Sequence, residues 1–127
     1  SYLVKMANAV GITPIVVVSS KTQMLDALKN IEDIEVLSVT SRNMRLWKID
    51  TGKAHRIITD KEVAASLKRR KEVAATQGKE FFVVQEGFAS SGDIELAKLD
   101  GVDIVMLGEE LALYGDKNLE AAIARFI

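Results

Sequence analysis

Four short apolar segments alternate with helix-like stretches along this chain, and this alternation constrains the fold more than any other feature. We predict strands over residues 13–18, 35–40, 81–85 and 103–107. The first segment is β-branched and apolar at nearly every position, which is typical of a strand covered on both faces. Parallel neighbours need a long crossover connection, usually a helix. The pattern therefore predicts an α/β fold with four sequentially adjacent parallel strands and helices on the outside.

The stretches between these segments carry helix signals. Apolar side chains recur at helical spacing in residues 2–10. Ser20 is placed to cap the next helix. Residues 51–76 form a long polar helical region with a break near Thr59 and Asp60. The remaining expectations are a loop over residues 41–50, a helix opening at residues 91–93, and two short helices over 109–113 and 118–126.

The composition excludes several classes of function. Seventeen basic and eighteen acidic residues nearly cancel to a net charge of −1, so we expect neither a nucleic-acid partner nor membrane insertion. The absence of cysteine excludes disulfides and a cysteine nucleophile. The sequence shows no metal-ligand spacing and no glycine-rich phosphate loop, so we expect no metal and no cofactor. The balance is ordinary for a folded soluble protein, and we expect a soluble intracellular domain.

One enzyme family resembles four segments of the chain in order and spacing. Its sixth strand and loop usually read Ile-Gly-Ile-Asn-Asn/Ser-Arg-Asp/Asn-Leu, and residues 36–44 are similar to them. Its seventh strand ends in Val-x-Glu-Ser-Gly-Ile, which residues 83–88 resemble. Its eighth, Gly-Val-x-Ala-Val-Leu-Val-Gly-Glu-Ser-Leu, is similar to residues 101–111, and residues 11–18 match the end of the fourth helix and the fifth strand. The chain thus resembles the indole-3-glycerol-phosphate synthase family.

This resemblance implies that residues 1–127 form a single partial domain, the C-terminal half of a TIM (β/α)₈ barrel with family strands five to eight. A complete barrel needs roughly 200 residues or more. The family closes an indole ring in tryptophan biosynthesis, with loss of carbon dioxide and water. The implied partners are a missing N-terminal half barrel or other protein subunits, and a phosphorylated small molecule. Family members in photosynthetic eukaryotes are plastid proteins, and the long segment between strands six and seven resembles that group, so the resemblance admits the chloroplast stroma as a location.

Most positions that correspond to the family's catalytic side chains carry residues that are less able to transfer protons or to form hydrogen bonds. Val17 stands where the family has a glutamate in the fifth strand, and valine cannot hold a proton. Thr40 replaces an asparagine and keeps a hydrogen-bonding group of shorter reach. Gln85 matches the glutamate of the seventh strand, and an amide cannot act as a general base near neutral pH. Arg42 is retained, either as an active-site arginine or as a loop arginine paired with an acidic neighbour.

The positions that correspond to the family's phosphate site also differ. Gly87 and Gly108 are kept, so backbone N–H groups can still point at an anion. Glu86 and Glu110 replace serines, whereas Glu109 matches a glutamate that is common in the family. Each carboxylate within about 4 Å of a phosphate would cost roughly 4 kcal/mol per unit charge at an effective dielectric constant of about 20. We therefore expect only a vestigial phosphate site.

A register shifted by one residue is the alternative for the seventh strand. Glu86 would then match the family glutamate, with Gly87 at the serine position and Phe88 at the glycine position. The sequence favours the unshifted register, because it retains a glycine followed by an apolar residue at the end of the strand.

Three functions remain open on the sequence. The chain is part of a working synthase, a degenerate relative kept as a structural or interaction subunit, or a binding module for another ligand. The replaced carboxylates favour the degenerate relative. Outside the strand ends, His55 is not expected to be catalytic, and Trp47 either stacks on an aromatic ligand or packs an amphipathic loop. The basic run Lys68–Lys71 is expected to be a solvated helix face.

Overall fold

The structure, a computed structural model, describes residues 2–43, 45–108, 111 and 119–124. The elements in chain order are α1 (Tyr2–Ala9), β1 (Ile15–Val18), α2 (Lys21–Asn30), β2 (Val36–Thr40), β3 (Arg42–Asn43), β4 (Lys48–Ile49), α3 (Thr51–Ile58), α4 (Lys61–Thr76), β5 (Phe82–Glu86), α5 (Ser91–Leu99), β6 (Ile104–Met106) and α6 (Leu119–Ala124).

The main sheet contains the four strands that the apolar segments predict. Its order is β1-β2-β5-β6, and every neighbouring pair is parallel. The predicted α/β fold with four sequentially adjacent parallel strands is therefore confirmed. The arrangement is consistent with part of a TIM-barrel-like fold.

The core lies between one face of this sheet and the helices. Leu37, Val39 and Val83 of the strands pack in one cluster with Met24 of α2 and Val63 of α4. The strands supply buried apolar residues at alternate positions and the helices supply apolar stripes, which is how a helix layer covers a parallel sheet. Because successive side chains of a strand point to opposite faces, the residues between these core positions lie on the uncovered face.

Side-chain caps begin α2 and α4. Ser20 Oγ accepts a hydrogen bond from the amide of Gln23 at 3.2 Å, which confirms the predicted cap of α2. Asp60 Oδ1 accepts from the amides of Glu62 and Val63, so the predicted break near Thr59 and Asp60 separates α3 from α4. A carboxylate or hydroxyl at this position satisfies amides that have no partner within the helix.

The expected loop over residues 41–50 is wrong in part, because it contains a small antiparallel hairpin. Arg42 pairs with Ile49 and Asn43 pairs with Lys48, in a sheet of two strands separate from the main one. Asn43 closes the turn by accepting the amide of Trp47 at its backbone oxygen, at 2.8 Å. Two-residue strands are too short for an alternation of apolar and polar side chains to predict them.

The basic run of α4 is divided between solvent and structure. Lys68 and Arg69 are exposed, as expected for a solvated face. The guanidinium of Arg70 lies 5.9 Å from the ring centroid of Phe81 and donates to the carbonyl of Ile31 at 3.3 Å. Lys71 forms an ion pair with Asp103 at 2.8 Å. Half of the run therefore ties α4 to the edge of the sheet where the strands begin.

The apolar stripe of α1 is not buried in this chain. Val4 is 5% exposed, but Leu3, Met6 and Val10 are 76%, 49% and 69% exposed. Helical spacing therefore predicted the helix correctly but not a buried face. The predicted helix over residues 109–113 and both ends of the predicted helix over 118–126 lie outside the described residues, apart from Leu111.

Candidate ligand-binding face

The pleat of the main sheet sorts the strand residues onto two faces, because successive side chains point in opposite directions. Leu37, Val39 and Val83 lie on the face covered by α2, α3 and α4. The residues next to them along each strand point to the other face, which we call the inner face. The residues paired with these across the sheet lie on the inner face as well. The inner face consists of Ile15, Val17, Val36, Ser38, Thr40, Phe82, Val84, Glu86, Ile104 and Met106.

Thr40 and Glu86 lie side by side on the inner face. They are register partners on β2 and β5, and neighbouring strands are about 4.8 Å apart. Thr40 is buried, and its Oγ1 accepts a hydrogen bond from the amide of Arg42 at 3.1 Å. Glu86 is half-buried. Among the inner-face residues defined above, Glu86 is the one that ionises.

Gln85 lies on the opposite, helix-covered face. It is the register partner of Val39, a core residue, and is 3% exposed. The strand also runs from Phe82 to Glu86, one residue later than predicted. This placement favours the shifted register, in which Glu86 rather than Gln85 corresponds to an inward-facing carboxylate.

Val17 occupies the inner face of β1 and is 54% exposed. Its row across the sheet continues through Ser38, Val84 and Ile104. Ser38 is 1% exposed, and within the described chain its Oγ has no hydrogen-bond partner. This row offers one hydroxyl and no group that can transfer a proton near neutral pH.

Arg42 lies at the edge of the sheet where the strands end. Its Nη1 donates to the carbonyl of Trp47 at 3.4 Å, and its own carbonyl accepts from Lys53 Nζ at 3.3 Å. A Cβ on Gly87 would lie 3.5 Å from the amide nitrogen of Arg42. The structure therefore brings Thr40, Arg42, Glu86 and Gly87 together at one edge.

Gly87 is required at this edge for two reasons. Its φ is 84°, in the left-handed region that favours glycine. A Cβ there would lie 3.1 Å from Cβ of Ser41, whose amide donates to the carbonyl of Glu86 at 3.1 Å. Gly108 follows β6, the parallel neighbour of β5, so both glycines belong to the same edge. Glu109 and Glu110 lie outside the described residues.

A histidine–aspartate pair joins two helices in a contact that the sequence does not predict. His55 Nδ1 is 2.7 Å from Oδ2 of Asp100, whose side chain is 6% exposed against 39% for His55. The contact joins α3 to the end of α5. Forty-five residues separate the two partners, and no motif in either segment signals the pairing. It gives His55 a structural partner away from the inner face.

The described residues supply no group of three or more histidine, cysteine, aspartate or glutamate side chains arranged to hold a metal ion. In the same part of the chain, every helix is too short or too polar to cross a membrane.

The fold and this edge define an α/β domain in which a parallel sheet presents a few polar side chains where its strands end. No family model matches the chain. The chain is 25% identical over 119 residues to the indole-3-glycerol phosphate synthase of Microcystis aeruginosa, and the alignment covers 94% of this chain and 36% of that protein. The chain therefore spans about a third of this relative, and the distant, partial similarity suggests an indole-3-glycerol phosphate synthase-like domain.

Proposed function

We propose that the chain is the half of an indole-3-glycerol phosphate synthase-like barrel that carries strands five to eight. In this proposal its inner face forms a wall that faces the ligand but carries fewer proton-transferring side chains than the family's active site. The half barrel then serves mainly as a structural or interaction subunit of a larger assembly, in which further strands complete the wall.

One observation carries this proposal: the inner face presents a single carboxylate, Glu86. Val17 faces inward on β1, at the position where the resemblance puts a second one. General acid–base chemistry needs groups that can gain and lose a proton near the reacting atoms. A wall with one such group supports binding better than it supports a reaction that moves several protons.

A second candidate is a working synthase fragment, and the orientation of Glu86 favours it. In the shifted register Glu86 replaces no serine and instead takes the place of the family glutamate, next to Thr40. The like-charge objection to a phosphate site then applies less directly to Glu86. This candidate requires catalytic residues from outside the chain.

Co-expression with the N-terminal half of the Microcystis aeruginosa relative separates the two candidates. We expect a complex with negligible indole ring closure, measured by the fluorescence of the indole product. Robust turnover that Glu86→Gln abolishes would favour the working fragment and contradict the degenerate one. Gln85→Met is the matched control, because its side chain lies on the other face.

A further inference from the structure

The tip of the β3–β4 hairpin exposes two large apolar side chains next to each other. We define the tip surface as Arg45, Leu46, Trp47 and Lys48. Leu46 is 66% exposed and Trp47 is 68% exposed. Single exposed apolar residues are common, but two large ones side by side form a patch of the kind found at interaction sites, and an exposure of 68% shows that Trp47 is not packed in the loop or the core.

The backbone that carries Trp47 is tied to Asn43 by hydrogen bonds. Asn43 Oδ1 accepts the amides of Arg45 at 3.0 Å and Leu46 at 3.1 Å, and the backbone oxygen of Asn43 accepts the amide of Trp47. Trp47 has a φ of 54°, a left-handed conformation that is rare for a bulky residue. Strained residues of this kind cluster at binding sites, where the surrounding structure holds them in place.

Positive charge flanks the exposed ring and is not neutralised locally. Arg45 and Lys48 are exposed, and neither forms an ion pair within the described part of the chain. The other nearby cations are engaged: Arg56 pairs with Asp50 at 2.5 Å, and Lys53 donates to the carbonyl of Arg42. The tip therefore presents an apolar centre between two available cations.

We propose that the tip surface docks on a partner protein that offers an apolar slot rimmed by carboxylates. Tryptophan and arginine are the residues that most often anchor protein interfaces. A turn whose backbone is already held by hydrogen bonds loses less conformational freedom on docking than a loose loop does, which favours affinity. Carboxylates on the partner complement Arg45 and Lys48.

A protein surface fits this tip better than a nucleic acid or a membrane does. Nucleic-acid affinity at physiological salt comes from many phosphate contacts, and two free cations provide few. Membrane binding scales with the apolar area inserted, and two side chains provide little. The chain also carries a net charge of −1, which gives no broad field to attract either polyanion.

This inference gives the proposed interaction subunit a contact surface, but its test does not involve the inner face. Ligand binding or turnover at Glu86 reports on the proposed function alone. Docking through the hairpin tip reports on this proposal alone, so either can fail without the other.

The chain contains one tryptophan, so its fluorescence reports directly on the tip. The probe is a short synthetic peptide with leucines at its centre and glutamates on both sides, titrated into the full chain. We expect the peptide to shift and quench Trp47 emission. The double variant R45E/K48E should bind roughly tenfold more weakly, since exposed charge pairs contribute about 1 kcal/mol or less each. Trp47→Ala should abolish binding. Calorimetry measures this variant, because it has no tryptophan fluorescence.

The matched control is K68E/R69E, which makes the same charge change on the exposed face of α4. Unchanged peptide affinity in this control supports the proposal, and equal weakening contradicts it. The absence of any change in Trp47 emission would overturn it. So would tighter binding to single-stranded DNA or to phosphatidylserine vesicles than to the peptide, or self-association of the chain that Trp47→Ala removes.

Discussion

Thr40 and Glu86 are register partners on neighbouring parallel strands, on the face of the sheet opposite α2, α3 and α4. Gln85, one residue away, is the partner of core residue Val39 and lies 3% exposed on the helix-covered side. The chemistry available at this edge of the sheet therefore depends on which of two adjacent residues faces inward.

Gln85→Glu should destabilise the fold strongly, whereas Glu86→Gln should leave its stability almost unchanged. The first variant puts a carboxylate without a partner into the helix-covered core and should lower the free energy of unfolding by about 3 kcal/mol. The second keeps the shape of a half-buried side chain and should change it by less than about 0.5 kcal/mol. Urea unfolding measures both. A harmless Gln85→Glu variant would mean that the pleat assignment is wrong.

Gly87→Ala should destabilise the domain more than Gly101→Ala does. Both glycines have positive φ, 84° and 80°, so each alanine costs about 1 kcal/mol in the left-handed region. A Cβ at Gly101 meets nothing within 4 Å, whereas one at Gly87 lies 3.1 Å from Cβ of Ser41. We expect an additional loss of about 1 kcal/mol at Gly87. Equal losses in thermal unfolding would exclude a close approach between Gly87 and Ser41.

His55→Ala should lower the free energy of unfolding by about 1–3 kcal/mol, because it leaves the nearly buried carboxylate of Asp100 without its partner. Asp100→Asn keeps an oxygen that can accept from the imidazole and should cost less. Chemical denaturation of both variants tests the comparison. If the two variants are equally stable, the contact between α3 and α5 does not act through hydrogen bonding.

Lys21→Met should move the titration of Asp60 upward. A hydrogen bond from Lys21 holds the pKa of Asp60 below its ordinary value of 3.8, and Asp60 in turn raises the pKa of Lys21 above 10.5. A lowered carboxyl pKa stabilises the fold above the unfolded-state pKa, and this contribution disappears as the pH falls through the folded-state value. The raised pKa of Lys21 likewise stabilises the fold at pH values below 10.5, and this stabilisation is lost as the pH rises through the folded-state pKa. NMR titration of the Asp60 carboxyl should show the upward shift, and an unchanged midpoint would contradict the assigned pair.

The sheet and the helix starts were predictable because their signals are local. The run from Ile15 to Val18 is apolar throughout, and Ser20 and Asp60 are residue types that cap helices. The orientation of β5 was not predictable in the same way. Phe81 to Val84 are apolar at every position, so no alternation shows which side chain faces the helices. Only the register with β2 decides between Gln85 and Glu86.

The remaining features depend on contacts between distant parts of the chain. His55 and Asp100 come from different helices, and the hairpin is fixed by the side chain of Asn43 and the left-handed Trp47. The sequence offered two uses for Trp47, stacking on a ligand or packing a loop, and its exposure argues against packing. For α1, helical spacing gave the element but no information on what covers its apolar side.

The alternation along β5 also has a genetic consequence. Losing or gaining a single codon between those for Phe81 and Glu86 would exchange the two faces of the strand from that point on. The side chain of Glu86 would then turn toward the helices, and that of Gln85 would turn toward the inner face. A lineage could thus gain or lose an inward carboxylate by a frame-preserving insertion or deletion, without substituting either residue. Among relatives of this chain, we expect differences in activity to follow the length of this strand as well as the identity of its last residues.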